Sequence, residues 1–513
     1  MTTSLKYVPA SALITGWDFS TSGVKCLAFD VEGNTVADIR LPTDLWTKGR
    51  VAELNLMQLE GQARASVRAI AHALREKGRL HDWLAGGISA THHTAGRIDA
   101  QHNQVRRAIC WNDPSLAKYH EIGVERLGGE EHVRELLGGP WAIRYSLSHL
   151  VKDETTLDDE DWRRTDKILT HGALAAGYLT GNFDVISVSS AASTGIMNFE
   201  SRVWCEEMLD ALEDPDHRKL VLQQLPRIVH QFEPIGPLRS SLVLEARLDP
   251  GHVPMVFPTS DDQQAGLIGG GAVDSGQMAI ILGTSAVVNS SSMNLPKTDK
   301  LDVMRLNWDP YLWMRCYNNG AQFLNEIVGK KPKWSGLDAE GSQAPAGCDG
   351  AMVLPFIFAE PSLGIKKPRF RWLPKKPRER GTRYRAALEA LAYLIALGVK
   401  QHEKGGQAIT RITVSGGVAR SELMCKILAS VLGKPIQLLA SDEGPALGAA
   451  VTALAAMENH LRQEHGEKPT FTVADAVARM VRFRATVEPD PKWAEVYAKG
   501  LKKFEKSAGI MKK

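Results

Sequence analysis

The sequence lacks the marks of a membrane-spanning, secreted or nucleic-acid-binding chain. No apolar run approaches the roughly 18 residues needed to span a bilayer, although 43% of the residues are hydrophobic. The stretch Met1 to Pro9 holds one lysine and no apolar h-region, so no secretory signal is expected there. Cysteine is sparse. Cys26, Cys110, Cys205, Cys316, Cys348 and Cys425 lie far apart with no C-x-x-C pair, which argues against a zinc or disulfide framework and for reduced thiols in a cytoplasm. A net charge of +3 over 513 residues is too small to steer the whole molecule toward nucleic acid or an anionic membrane. The length exceeds one ordinary core, so two domains are expected.

What is present is an α/β pattern that occurs twice. Ala12 to Trp17 reads as a strand, Asp18-Phe19-Ser20-Thr21-Ser22-Gly23 as a polar turn, and Val24 to Asp30 as a second strand. Glu32-Gly33-Asn34 suits a hairpin turn into a third strand, Thr35 to Arg40. Leu56, Leu59, Ala63, Val67, Ile70 and Leu74 recur at helical spacing within Leu54 to Lys77. Gly87 to Ala90 reads as a buried strand end leading into Thr91-His92-His93-Thr94. Downstream, Gln277 to Leu282, Gly283-Thr284-Ser285 and Ala286 to Ser290 repeat the strand–turn–strand unit. Ile409 to Val414 then runs into Ser415-Gly416-Gly417 and a helix from about Arg420 to Leu432. Two such halves, each with a small-residue turn, suggest two lobes with a boundary near residue 255. The expected domains are 1–254, 255–480 and a helical segment 481–513 that packs back on a lobe, with Lys502, Lys503, Lys506, Lys512 and Lys513 solvated.

Residues 366–385 stand apart, with ten basic residues, one acid and three prolines. An exposed loop is the expectation, either solvated or contacting another subunit, or else facing a phosphate or a nucleic acid.

The chemistry concentrates at Ser260-Asp261-Asp262-Gln263-Gln264-Ala265-Gly266. A carboxylate here can deprotonate a hydroxyl, and the nearby Gly283-Thr284-Ser285 turn can offer backbone N–H groups to phosphate oxygens. Asp18, at a strand end beside Ser20-Thr21-Ser22-Gly23, can hold Mg²⁺ directly or through water, or can simply cap the turn. Lys25 can reach a phosphate or line the surface. Gly416 and Gly417 allow close backbone approach to an anionic or flat ligand, or serve a tight turn. Adjacent residues of an extended segment project oppositely, so one of Asp261 and Asp262 is expected to face the site.

In this order and spacing, the motifs resemble those of the FGGY carbohydrate kinases, and among them the xylulokinases. Asp18 to Lys25 resembles the family's first phosphate turn. Ser89 to Asp99 resembles its Ser-Gly-Gln-Met-His-Gly-x-x-x-x-Asp segment, and Trp111-Asn112-Asp113 its Trp-Asn-Asp. Asp262-Gln263-Gln264-Ala265-Gly266 is similar to the catalytic segment, Gly283-Thr284-Ser285 to the second phosphate turn, and Gly416-Gly417-x-x-Arg420-Ser421 to the adenosine motif, with Gly444 to Ala450 following. The resemblance covers about residues 13 to 455.

It implies two actin-like (ribonuclease H-like) α/β lobes with the active site in the cleft between them. It also implies Asp262 as catalytic base and Asp261 as a structural cap. Sugar contacts would come from His92, His93, Trp111, Asn112 and Asp262. ATP contacts would come from Thr21, Ser22, Lys25, Gly283, Thr284, Asn319, Gly416, Gly417 and Ser421, with Mg²⁺ at Asp18. The expected partners are ATP and a small sugar, with neither nucleic acid nor membrane, and a homodimer is left open. The floor Ala90-Thr91-His92-His93-Thr94 departs from the family pattern, and Ala359-Glu360-Pro361-Ser362 replaces its Glu-Arg-Thr-Pro. Substrate alternatives therefore stay open: a ketopentose such as xylulose, ribulose, a deoxyketohexose or a tetritol. An actin-like ATPase or a sugar-responsive regulator is the other class. His92-His93 stands where glycerol kinases carry Arg-Glu, which argues against glycerol.

Overall fold

The structure is a computed structural model and describes residues 3–48, 51–283, 285–329 and 333–510. Thr284, Lys512 and Lys513 lie outside the described residues. The chain divides into two compact units, each assembled from separated stretches.

The first unit comprises Met1–Gly269, Val303–Leu312 and Pro445–Val481. Its main sheet is built on Leu13–Phe19, buried at every residue, as expected of a central strand covered on both faces. Gly23–Asp30 pairs with it antiparallel and Trp83–Ala90 parallel. Thr35–Pro42 continues the meander, and Met255–Val256 and Ser260–Asp261 both add to Trp83–Ala90 in parallel. Helix Leu56–Glu76 is capped by Asn55, whose side chain accepts from the Met57 N–H, and buries the predicted leucine-alanine-valine stripe. Trp17 fastens that helix to the sheet through a 3.0 Å bond from its indole N–H to Ser66 Oγ.

Another helix of this unit, within Gly444–Glu464, lies almost in backbone contact with the sheet. A Cβ on Gly16 would sit 1.8 Å from Ala446 O, and one on Gly87 2.1 Å from Ala449 O. Hydrogen alone fits at both positions, which accounts for glycine in otherwise apolar strands. The chain's start is pinned to the same helix. The Glu458 carboxylate accepts the backbone N–H groups of Lys6, Tyr7 and Val8.

A five-stranded sheet completes the unit, in the order Trp46–Lys48, Val51–Leu54, Gln104–Ile109, Ala95–Ile98, Lys167–Thr170. Fully buried beside it, Asp153 takes bonds of 2.8 Å from Arg97 Nε and 2.7 Å from Arg106 Nε. Arg97 also lies 4.0 Å over the Trp162 ring.

The second unit comprises Gly270–Asp302, Trp313–Gly444 and Arg482–Lys513. In its sheet Ala286–Ser292, Gln277–Leu282, Arg411–Ser415, Ile436–Leu439 and Phe483–Val487 lie side by side in that order. The long helix Arg380–Gly405 packs its alanine- and leucine-rich length into the core with Ile280, Val288, Ile412 and Ile427. Helix Ala494–Ala508 buries Tyr497, Leu501 and Phe504 in the same core, and Lys503 donates to Gly350 O at 2.7 Å.

Three expectations differ from this arrangement. The division is not into consecutive segments, because Ser260↔Ser89 and Asp261↔Ala90 pairing ties the Asp261-Asp262 doublet to the first unit. The segment after residue 480 is helical only in part, since Phe483–Val487 is a strand. The basic stretch is not a loop throughout. Arg369–Leu373 pairs antiparallel with the buried strand Met352–Phe356, whose backbone needs a partner. Arg380 opens the long helix, and Arg385 is buried, its guanidinium shared among Glu389, Tyr497 and Ala344 O.

Among the described residues, no helix is long and apolar enough to cross a membrane.

Candidate active site

Two strand ends of the first unit and the loop and helix that follow them bring its polar residues together. Leu13–Phe19 delivers Asp18, opposite Lys25 on one side and Ser89 on the other. Ser89 Oγ donates to Asp18 Oδ1 at 3.0 Å. Beyond Ala90 the chain bends sharply. His93 has φ +56°, and the Thr94 N–H reaches back to His92 O at 2.7 Å. A left-handed residue without glycine costs roughly 1–2 kcal/mol, and such strain persists where the surroundings over-determine it. Here they do: the His93 ring is stacked between His92, 4.1 Å away, and Tyr145, 4.6 Å away. Tyr145 is fixed in turn by its hydroxyl bond to Val303 O at 2.9 Å.

His93 Nδ1 lies 3.0 Å from the Ser193 carbonyl oxygen. A carbonyl only accepts, so Nδ1 carries the proton and Nε2 is left as a lone pair. That Nε2 is buried without a partner and can accept a substrate hydroxyl. Burial, followed by the neighbouring His92 and the Arg144 charge, holds His93 well below the usual imidazole range.

The acid pair sits where strand becomes helix. Asp261 ends the strand, and Asp262 begins helix Asp262–Gly269. The change of conformation between them defeats the two-residue alternation, and both carboxyls come to one imidazole. His92 Nε2 is 3.2 Å from Asp261 Oδ2, and His92 Nδ1 is 3.7 Å from Asp262 Oδ1. The Asp261 side chain is 1% exposed and the Asp262 side chain 30%, so Asp262 is the acid that a substrate can meet. Asp261 stands at the N-cap position of that helix, where its own N–H donates to Gln264 Oε1 at 3.2 Å, and its carboxyl group accepts from Ser190 Oγ at 3.1 Å.

Burial pushes Asp261 up to about 8, against the hydroxyls of Ser193 and Ser190, and the Asp262 charge adds to the rise. Burial also raises Asp262 to about 7, with the Asp18 charge next. Water at nearly a third of its side chain makes Asp262 the less firmly shifted of the two. His92 is lowered to about 3 by burial and then by Arg144, so it is neutral at ordinary pH.

The remaining sugar candidates lie in the turn after Gln104–Ile109, where Trp111 is half-buried and Asn112 exposed. Asp113 anchors that turn, pairing with Lys152 at 2.6 Å and accepting the Ser115 N–H at 2.8 Å. Thr21, Ser22 and Lys25 flank the first hairpin, which Ser20 closes by donating through its N–H and hydroxyl to Gly23 O. Asp18 fits a cation that draws most of its ligands from phosphate and water, as Mg²⁺ does. Its carboxylate is buried and raises Asp262, a repulsion that a cation would offset. Among the described residues no set of three or more His, Cys, Asp or Glu could hold a metal by itself.

In the second unit Gly283 and Ser285 flank the turn between Gln277–Leu282 and Ala286–Ser292, whose register closes at Leu282↔Ala286. Gly416 has φ +94°, and a Cβ there would come 2.5 Å from Leu282 O, so this glycine turn nests on the neighbouring strand end. Gly417 has open space. Two candidates of this unit have their side chains engaged in the fold. Asn319 bonds Glu360 Oε2 and both backbone groups of Phe358. Ser421 caps helix Glu422–Leu432 through Met424 N–H and donates to Asp338 at 2.7 Å.

Sequence reasoning did not find Ser190, Ser193, Tyr145 or Arg144. The small-hydroxyl run Ser187 to Thr194 was a readable signal for the first two.

Comparisons with known proteins place the chain in a family. The model of the FGGY carbohydrate kinase N-terminal domain matches residues 13–269, and that of the C-terminal domain residues 373–457. The chain is 26% identical to the xylulose kinase of Escherichia coli K12, over 85% of this chain and 88% of that one. It is 24% identical to the glycerol kinase of Paraburkholderia phymatum, over 93% and 98% respectively. The fold matches the solved ligand-bound xylulose kinase of Lactobacillus acidophilus with a TM-score of 0.83, at 20% identity and 98% coverage of both chains. With one family model spanning half its length and a second matching further on, the chain belongs to the FGGY family of carbohydrate kinases.

Proposed function

We propose that this kinase transfers the γ-phosphoryl group of ATP to a hydroxyl of a ketopentose, with xylulose the first choice. The observation that carries the proposal is Asp262: a carboxylate at a helix start, partly open, with Oδ1 unpartnered and poised to ionise near neutrality. A base is most useful when its pKa is close to the working pH. Asp262 takes the hydroxyl proton as the sugar oxygen attacks phosphorus, and the proton remains on its carboxyl. His93 Nε2 accepts another sugar hydroxyl and so orients the ring, with Trp111 and Asn112 as further sugar contacts.

Mg²⁺ held at Asp18 would supply charge neutralisation to the transferring phosphate, the main need of phosphoryl transfer. The hairpin at Thr21, Ser22 and Lys25 and the turns at Gly283, Thr284, Gly416 and Gly417 supply N–H groups and charge to phosphate and nucleoside. Asn319 and Ser421 would shape the ATP site through the backbone they fix. Among the described residues the six cysteines form no disulfide, which suits a cytoplasmic enzyme. Xylulose is preferred over glycerol on the histidines at 92 and 93, although relatives of both names are similar.

The test is ADP release from Mg·ATP with xylulose, ribulose, a deoxyketohexose, a tetritol and glycerol, run beside Asp262→Asn. A ketopentose should stimulate turnover, and Asp262→Asn should lose roughly 10²–10⁴-fold. Stimulation by none of the acceptors, or full turnover in Asp262→Asn, overturns the proposal.

A further inference from the structure

The mechanism above uses Asp262 and leaves its neighbour unused. Asp261 is a 1% exposed acid placed 3.2 Å from an imidazole nitrogen whose ring turns its other nitrogen toward the base. Four polar atoms, Asp261 Oδ2, His92 Nε2, His92 Nδ1 and Asp262 Oδ1, are buried here without a hydrogen-bond partner, each other included; the 3.2 Å approach must align and the 3.7 Å gap must close slightly before they bond. Orphaned buried polar atoms are costly unless they serve each other or a ligand. Taken in order they form one line: carboxyl, imidazole, carboxylate.

We propose that Asp261 is a positioning residue that sets the tautomer of His92, so that His92 Nδ1–H donates to the Asp262 carboxylate and holds it ionised and aimed. Asp261 keeps its proton and donates it to His92 Nε2. A neutral imidazole that accepts at Nε2 carries its proton at Nδ1. The line therefore presents a hydrogen-bond donor to the base. No proton is gained or lost by the three groups together; one proton is on Asp261 and one on His92. When Asp261 ionises, its oxygen becomes an acceptor, the His92 proton moves to Nε2, and a lone pair faces Asp262 instead.

The inference rests on Asp262 being the base. The upward shift of Asp261 to about 8, caused first by burial, agrees with its carrying the proton at neutral pH. Other charged or titratable groups face this line from neighbouring elements. Asp18 acts on Asp262, Arg144 on both histidines, and His149 on His93, while Tyr145 stacks on His93. None of them lies between Asp261 and Nε2, which are in contact distance.

The test reads sugar-dependent kcat from pH 6 to 9.5 in the wild type, Asp261→Asn, His92→Asn and His92→Phe, with melting curves to confirm folding. Wild-type kcat should fall by tenfold or more above pH 8. Asn at 261 is a permanent donor to Nε2, so Asp261→Asn should hold kcat within about threefold at pH 7 and lose the alkaline fall. His92→Asn should restore a donor near the Nδ1 position and also abolish the fall, whereas His92→Phe should lower kcat more than tenfold with little change in KM. Nitrogen-15 shifts of His92 in the resting enzyme should report Nδ1–H at pH 7 and Nε2–H at pH 9.5. A flat wild-type profile, an Asp261→Asn variant that keeps the alkaline fall, or an Nε2–H tautomer at pH 7 overturns the inference. Loss of the base reading itself would show separately, as turnover retained in Asp262→Asn.

Discussion

The closest backbone approach behind the acid pair is at Gly448, and replacing it by alanine tests how finely Asp262 is placed. A Cβ at this position would lie 1.9 Å from Ala265 O, 2.7 Å from Ala265 C and 2.8 Å from Gly269 N. All three atoms are backbone of helix Asp262–Gly269, so no rotamer change relieves the clash. Ordinary contact at about 3.2–3.4 Å requires the two helices to part by about 1.3 Å or more. Overpacking of a tight core costs about 1–3 kcal/mol, and each kcal/mol lowers the melting temperature by about 2–4 °C in a domain of this order. The functional cost is larger in proportion, because about 1 Å of misplacement of a reacting group can cost about 100-fold. Gly448→Ala should therefore melt several degrees lower and lose one to two orders of magnitude in sugar-dependent ADP release. Gly61→Ala is the control. It lies in helix Leu56–Glu76 with nothing within 4 Å of a new Cβ, and it should gain about 0.5–1 kcal/mol with unchanged turnover. Wild-type melting and rate in Gly448→Ala would refute the reasoning that this contact sets the position of Asp262.

Two further outcomes follow from the charges. Asp262 is raised to about 7 and must be ionised to accept a proton, so kcat/KM should climb as pH rises through about 7, ahead of the fall expected above pH 8 when Asp261 ionises. A kcat/KM profile flat down to pH 5 would contradict that. Asp153 is held below the usual carboxylate range, burial being opposed by Arg106 and Arg97; its pairing stabilises the fold above the unfolded carboxylate pKa and is lost as pH falls through its lowered value. Asp153→Asn leaves two arginines facing each other in the core and should cost about 3–5 kcal/mol, read as a lower urea midpoint at pH 7 that converges on the wild type in acid.

Much of the fold was legible because its strands and first helix obey simple periods. Leu13–Phe19, Gly23–Asp30 and Leu56–Glu76 fall within two residues of what alternation and helical spacing indicate. The misreadings have two causes: partners that come from far along the chain, and an element that ends where the pattern assumes it continues. Arg385 reads as one more surface cation until Tyr497, 112 residues away, supplies a buried partner. Asp261 reads as facing away from Asp262 because alternation assumes that the strand continues, and here it stops between them. The site was legible as a set of motifs, but not as an arrangement. Nothing in the spacing of residues 92 and 261 reveals that an imidazole and a buried acid meet at 3.2 Å.

The three-stretch make-up of the first unit bears on the order in which it can be completed during synthesis. Its sheet is laid down by residue 269, yet Gly16, Gly87 and the Asp262 helix stay without the helix that covers them until 444–464 has been made. At roughly 5–20 residues per second, that interval is about 10–40 s. Through it, an apolar sheet face waits on the ribosome while the second unit emerges. A nascent chain arrested near residue 300 should hold chaperones that one released after residue 481 no longer needs.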